Sequence, residues 1–333
     1  MVPANDGAGG ERVGHGVVVG RPEALRRFSW LRPELWLRVG ARFPIRLPRA
    51  WLAGRAGRAD PLLVQALPDP RELLDDPGDH PDPVGDARRS PLPWVVRKHA
   101  DRVLLLLTKR CHLYCRYCFR RNHNPGERED PTPEEWRDML DYAVTSGARE
   151  LILSGGDPLA ITDARLFEVM DHVRPAVPVI RVHTRAPITS PQRVTAALVE
   201  GLRARAPVWM IVHTNHPEEL TPSVRAALAR LVDAGIPVLN QAVLLAGVND
   251  DVEVLARLSA ELVSLRVYPY YLHHPDAATG NAHFRVSTAR GLALVRELAR
   301  RVSGLALPRY VIDPPDGSGK VDVEDYVRSR SHG

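Results

Sequence analysis

Cysteine occurs three times in the 333-residue chain, at Cys111, Cys115 and Cys118, all inside one eight-residue window. Their Cys-x3-Cys-x2-Cys spacing places three soft thiolates on a single loop. Such a trio can hold three corners of an iron–sulfur cubane while the fourth iron stays open to another ligand. Zinc is the competing reading, but a zinc site usually takes four protein ligands and would have to recruit His112 or His123. An odd, clustered set of cysteines cannot build a secreted disulfide framework, so a reducing compartment, the cytoplasm, is expected.

Lysine is as scarce as cysteine. It stands only at Lys98, Lys109 and Lys320, and the rest of the positive charge is arginine. A formal net charge of +5, from 45 Lys+Arg against 40 Asp+Glu, is spread without a basic stripe, so a nucleic-acid partner is not expected. No run approaches the roughly 18 apolar residues that span a bilayer, and no export signal is read at the N-terminus.

Something must position these residues, and from Arg102 onward the pattern becomes regular. Short β-branched or leucine-rich runs at 103–107, 150–153, 177–182, 208–212, 238–244 and 265–271 alternate with amphipathic stretches. The stretches open at capping signals: Thr132-Pro133, Thr162-Asp163, Ser190-Pro191, Thr221-Pro222, Asn249-Asp250 and Ser287-Thr288. Six consecutive βα units predict an α/β fold, a partial (β/α)6 TIM-like barrel. In such folds the loops after the strands carry the chemistry. The cysteines follow the first run, Ser154-Gly155-Gly156-Asp157 the second and His183-Thr184-Arg185 the third. His213 to His216 follow the fourth, Asn240 and Gln241 lie in the fifth, and His273, His274 and Asp276 close the sixth.

Outside the barrel, the first ~20 residues are Gly-rich and expected to fray. A helical face of Trp30, Leu31, Leu35, Trp36 and Val39 follows, then a proline-broken stretch at 44–70 and a crossing loop at 75–93. The expected organisation is an N-terminal extension (1–95), the barrel (96–285) and a C-terminal helix and tail (286–333).

The cysteine loop, together with Ser154-Gly155-Gly156-Asp157-Pro158-Leu159, Asn240-Gln241-Ala242-Val243-Leu244-Leu245 and Gly317-Ser318-Gly319-Lys320, resembles the lysine 2,3-aminomutase family of radical S-adenosylmethionine enzymes. That family includes the branch that makes β-lysine for elongation factor P. The similarity runs from about Leu31 to Val323.

The resemblance implies three cofactors: a 4Fe-4S cluster on Cys111, Cys115 and Cys118, S-adenosylmethionine, and pyridoxal 5′-phosphate. Gly155, Gly156, Asp157, Arg185, His213 and Gln241 match the family's S-adenosylmethionine pocket; for His213 a satisfied core histidine is the bland alternative. Lys320 matches the lysine that forms the pyridoxal imine, which an always-protonated arginine cannot form. Arg102 and Lys98 match the phosphate patch, though either could be a solvated surface charge. Arg120 matches the clamp on the substrate's α-carboxylate, and Asp276 and Asp313 match the two carboxylates that hold the distal ammonium of lysine.

The implied activity is an isomerase that interconverts L-lysine and β-lysine by 1,2-amino migration, initiated by a 5′-deoxyadenosyl radical. Arginine, ornithine and glutamate are the alternative substrates, and a non-catalytic zinc-binding module is the remote alternative. The resemblance also implies an electron donor such as flavodoxin or ferredoxin, and allows a homo-oligomer. One branch has tyrosine three residues before the first aspartate, where this chain has His273 as the elongation-factor branch does. The cysteines of longer members' tails are absent before the chain's end at Gly333.

Overall fold

The computed structural model describes residues 18–122 and 128–330. The expectation of a frayed start and the candidate zinc ligand His123 thus fall wholly or mostly outside the described residues. Nine strands form one sheet in chain order: β1 (Val95–Val96), β2 (Arg102–Leu106), β3 (Glu150–Ser154), β4 (Val179–Thr184), β5 (Val208–His213), β6 (Val238–Val243), β7 (Tyr268–His273), β8 (Arg309–Ile312) and β9 (Val321–Asp322). Neighbours from β2 to β8 pair in parallel, while β1 and β9 add antiparallel edges. The six predicted strands are all present. The seventh parallel strand, β8, and the two-residue edges are too short to stand out by composition.

Alternation divides each strand between two faces. In β4, Ile180 and Val182 are buried against the helices whereas Arg181 and His183 are only partly covered. The same alternation leaves Arg102, Leu104 and Leu106 of β2 partly covered and Val103 and Leu105 in the core. The covering helices are capped where the sequence signals, with Thr132 and Glu135 forming a reciprocal capping box and Thr162, Thr221 and Ser287 each accepting from a first-turn amide. Two starts are displaced. Ser190-Pro191 opens only a 3₁₀ turn, and the helix that follows is capped by Thr195; the helix expected at Asn249-Asp250 is capped by Asp251, whose carboxylate accepts from both Glu253 and Val254 amides.

Four short helices, α1 (Arg21–Arg27), α2 (Pro33–Arg42), α3 (Arg49–Leu52) and α4 (Pro61–Val64), form the N-terminal layer. Their buried Phe28, Leu47, Trp51, Leu52, Leu62 and Leu63 share one hydrophobic core with the β2–β6 strands. This layer is therefore fused to the barrel and not a separate unit. A second core gathers Leu272, Leu294, Leu298, Tyr310 and Val323 behind β7 and β8.

The crossing loop at 75–93 joins the two ends of the sheet. His80 bridges to Ala278 after β7, and Gly85 (φ +69°) packs so closely on the 315–317 turn that a Cβ there would lie 3.1 Å from the Gly317 nitrogen. Gly319 (φ +96°) likewise leaves no room for a side chain, since a Cβ would sit 2.5 Å from the His99 ring. Glycine at these points lets the two edges meet. Among the described residues no helix is long and apolar enough to cross a membrane.

Candidate active site

The cysteine loop leaves β2 and is pinned by the turn after β3. Gly156 N donates to Thr108 O at 2.6 Å and Asp157 N to Arg110 O at 2.7 Å. A Cβ at Gly155 would lie 2.3 Å from Thr108 O, and one at Gly156 2.3 Å from Arg110 O, so both glycines are required for this approach. The Asp157 carboxylate is itself engaged. It accepts from Thr184 Oγ1 (2.6 Å), Arg185 N (2.9 Å) and Leu159 N (2.9 Å), which latches the ends of β3 and β4 together.

All three cysteines are free thiols close enough to influence one another's ionisation. Burial, the Asp157 charge and the other two thiols hold Cys111 well above its ordinary value, and burial with Cys115 pushes Cys118 up to about 11. Thiols that disfavour one another's ionisation share one space, and a metal centre that displaces their protons relieves that repulsion. Three thiols on one loop fit separate corners of a multi-iron cluster better than a single zinc, which usually takes four protein ligands.

Beside the thiols lies a buried polar network. Arg185 donates to Cys115 Sγ (2.8 Å), to Gln65 Oε1 (2.7 Å) and to Glu219 Oε2 (3.0 Å), with its guanidinium over the Trp51 and Tyr117 rings. Glu219 also accepts from Gln65, Thr214 and the Asn215 amide. His213 Nε2 lies 3.1 Å from both Tyr117 Oη and Asn215 Oδ1, and burial together with Arg185 keeps it neutral. Gln241 stands opposite His213 in the β5–β6 register. Arg185 Nε is buried in this region without a partner, as is His183 Nε2 in the neighbourhood of Lys320 and Arg120. An orphaned donor beside a thiol cluster fits a polar cofactor such as S-adenosylmethionine.

A second group of charges spans the seam of the sheet. Asp86 accepts from Arg120 Nη2 (2.8 Å) and Nε (3.0 Å) and pairs with Lys98 Nζ (2.9 Å), and these cations outweigh burial to lower it to about 2. Arg120 also reaches Ser154 Oγ at 3.4 Å. Lys320 Nζ pairs with Asp313 Oδ2 at 2.9 Å; burial opposes, but Lys320, His273 and Lys98 hold Asp313 below its ordinary value. Asp276 behaves differently. Burial and the Asp313 carboxylate push it up to about 7 against the opposing pull of Lys320 and Lys98. His273 is lowered to about 3 by burial and Lys320.

These couplings gather Lys98, Arg120, Asp276, Asp313 and Lys320 around one space. Arg102 is placed less directly: it stands at the foot of β2, with Asp101 at 3.7 Å, and reaches the group through the field both it and Lys320 exert on His99. A lysine amine on a glycine turn, with cations beside it, fits an aldehyde cofactor that carries a phosphate. Sequence reasoning missed Gln65, Glu72, Asp86 and Glu219. Each has a decisive partner far along the chain, and the local signals were limited to the Asp69-to-Glu72 capping pattern and the Val84-Gly85-Asp86 turn.

The comparisons agree with this geometry. Residues 105–258 match the radical SAM superfamily. The chain is 41% identical to L-lysine 2,3-aminomutase of Clostridium subterminale over 278 residues, covering 82% of this chain and 67% of that one. With the Escherichia coli K12 L-lysine 2,3-aminomutase the identity is 37% over 323 residues and 94% of each chain. With the Fusobacterium nucleatum enzyme of the same name it is 40% over 276 residues, 81% of this chain and 65% of the relative. The chain thus spans about two thirds of the longer relatives and nearly all of the shorter one.

Proposed function

The chain belongs to the lysine 2,3-aminomutase family of radical S-adenosylmethionine enzymes, and from that premise we propose that it interconverts L-lysine and β-lysine. Membership brings a 4Fe-4S cluster, S-adenosylmethionine and pyridoxal 5′-phosphate. When bound, the first two supply an organic radical and the third carries the migrating amino group. Cys111, Cys115 and Cys118 would hold the cluster. Gly155, Gly156, Asp157, Arg185, His213 and Gln241 would line the S-adenosylmethionine pocket, and Lys320, Lys98 and Arg102 would hold the pyridoxal group. A small electron carrier such as flavodoxin or ferredoxin would supply the electron.

The observation that carries lysine as substrate is the pairing of Asp276 with Asp313. Two carboxylates share one neighbourhood with Lys320, and Asp276 holds its proton to about pH 7 because it is buried and the Asp313 charge lies beside it. A distal ammonium entering this space releases that proton and ionises Asp276, which completes the charge balance. Arg120, locked in orientation by two hydrogen bonds to Asp86, presents its remaining guanidinium edge to an α-carboxylate. Glutamate would bring a third carboxylate to Asp276 and Asp313, whereas arginine and ornithine would bring a cation.

An anaerobic assay of the reconstituted protein with lysine, arginine, ornithine and glutamate, scored for β-amino products, tests the reading. Lysine should give the highest kcat/KM. A β-amino product from glutamate alone would sink it.

A further inference from the structure

Behind the cysteine loop lies a charge cluster to which the site described above assigns no role. Glu72 is fully buried, and Arg116 and Arg121 are 1% and 5% exposed. Glu72 accepts from Arg116 Nε at 3.1 Å through both oxygens, and its Oε2 accepts from an Nη of each arginine. Its Oε1 also accepts from Asp69 N at 2.8 Å, in a capping box that fixes the 3₁₀ turn at 70–73. Arg116 lies between Cys115 and Cys118, and Arg121 three residues beyond. Arg116 is tied further to the N-terminal layer, through Nη1 to Pro44 O at 2.8 Å and through its backbone amide to Gln65 O at 2.8 Å. Arg121 stacks 3.8 Å over the Phe43 ring and donates to the carbonyls of Arg116 and Gly280. Gly280 (φ +77°) belongs to the segment that follows Asp276, and a Cβ there would lie 2.8 Å from Glu72 O.

We propose that Glu72 is a positioning residue for the iron–sulfur loop, and that the uncompensated positive charge beside it sets the cluster's reduction potential. One carboxylate faces two guanidinium groups, which leaves one net positive charge buried behind three thiolate ligands. Buried charge is poorly screened, so it acts on its neighbours far more strongly than a surface arginine does. Reduction makes a thiolate-bound cluster more negative, and a nearby cation favours the reduced form. The same contacts link the cluster loop to the Asp276 segment through Gly280. Glu72 therefore acts through shape and through charge, and the two roles can be separated.

The inference rests on the three cysteines holding the cluster. The full chain, reconstituted anaerobically, would be measured for iron and sulfide content, for iron loss to a chelator, and for midpoint potential by an EPR-monitored reductive titration. Glu72→Gln keeps the side chain's size and removes its charge; it should shift the potential upward and lose iron several-fold faster than wild type. Arg121→Met removes a cation and should shift the potential downward, and Arg121→Lys should restore it. Opposite shifts support the proposal. Unshifted potentials, or shifts of one sign, in variants with full iron content overturn it. If Glu72→Gln does not fold, Arg121→Met decides alone, and an unchanged potential in it overturns the charge role. A wild-type protein that takes up no iron fails the cluster reading instead, so the two failures are distinct.

Discussion

The two halves of the barrel rim handle charge in opposite ways. On the β2–β5 side, each buried cation named above touches a carboxylate: Arg185 pairs with Glu219, while Arg116 and Arg121 share Glu72 and leave an excess of positive charge. On the β7–β9 side, Asp276 and Asp313 share Lys320, and Asp276 keeps its proton to about pH 7. The first half is assembled before anything binds. The second holds two carboxylates around Lys320, which on the proposed reading would favour a ligand that supplies a further positive charge.

The largest effects come from removing the reactive group of each half. Cys115→Ala should abolish turnover and the iron-dependent absorbance while leaving pyridoxal binding intact. Lys320→Ala should abolish turnover and the lysine-linked pyridoxal absorbance while leaving iron content at the wild-type level. Iron analysis and visible spectra read both. Turnover by Lys320→Ala would remove the pyridoxal assignment.

Stability separates the halves by sign. Glu219→Ala strands the buried Arg185 guanidinium and should cost about 3–5 kcal/mol in a denaturant titration. Asp276→Asn should do the reverse in the ligand-free protein. A carboxyl raised above its ordinary 3.8 contributes stability fully below about pH 4, and that contribution is lost as pH rises through about 7. The neutral amide does not incur the loss, so the variant should be more stable than wild type by roughly 1–3 kcal/mol at pH 8. The same substitution should weaken lysine binding by about 10–100-fold, since a charge-assisted contact is lost. A variant that both melts earlier and binds lysine normally would remove the contrast.

Binding should also depend on pH in one half only. Below about pH 7 lysine must displace the Asp276 proton, so its affinity should fall roughly tenfold from pH 8 to pH 6, and Asp276→Asn should flatten the profile. His273, lowered to about 3, and Asp313, held below the ordinary aspartate value, do not titrate in this window. Calorimetric titration with lysine at four pH values reads the slope.

What the sequence made legible follows the same division. The strand runs, the Thr132, Thr162, Thr221 and Ser287 caps, and the clustered thiols are local patterns, and all are found where expected. The counter-ions are not local. Glu72 lies 44 residues from Arg116, and Glu219 34 residues from Arg185, so no window of sequence contains both partners. The prolines of 75–93 predict a crossing loop and nothing of its charge contacts. Its Asp86 ties Lys98 to Arg120, because glycine turns draw that loop onto the Lys320 segment.

The smallest expected effect concerns which cation holds the phosphate of the pyridoxal group. Lys98 and Arg102 both flank the seam, but their surroundings differ. Lys98 is 14% exposed and held by Asp86 and by Val84 O at 2.7 Å, whereas Arg102 is 35% exposed with Asp101 3.7 Å away. An ammonium fixed in a half-closed site is oriented and weakly screened; a guanidinium with a distant surface partner is neither. Lys98→Met should therefore weaken pyridoxal phosphate binding by about tenfold, and Arg102→Gln by only about two- to threefold. Fluorescence titration of the two variants ranks them. The reverse order would move the phosphate to the foot of β2 and leave Lys98 as a partner of Asp86 alone.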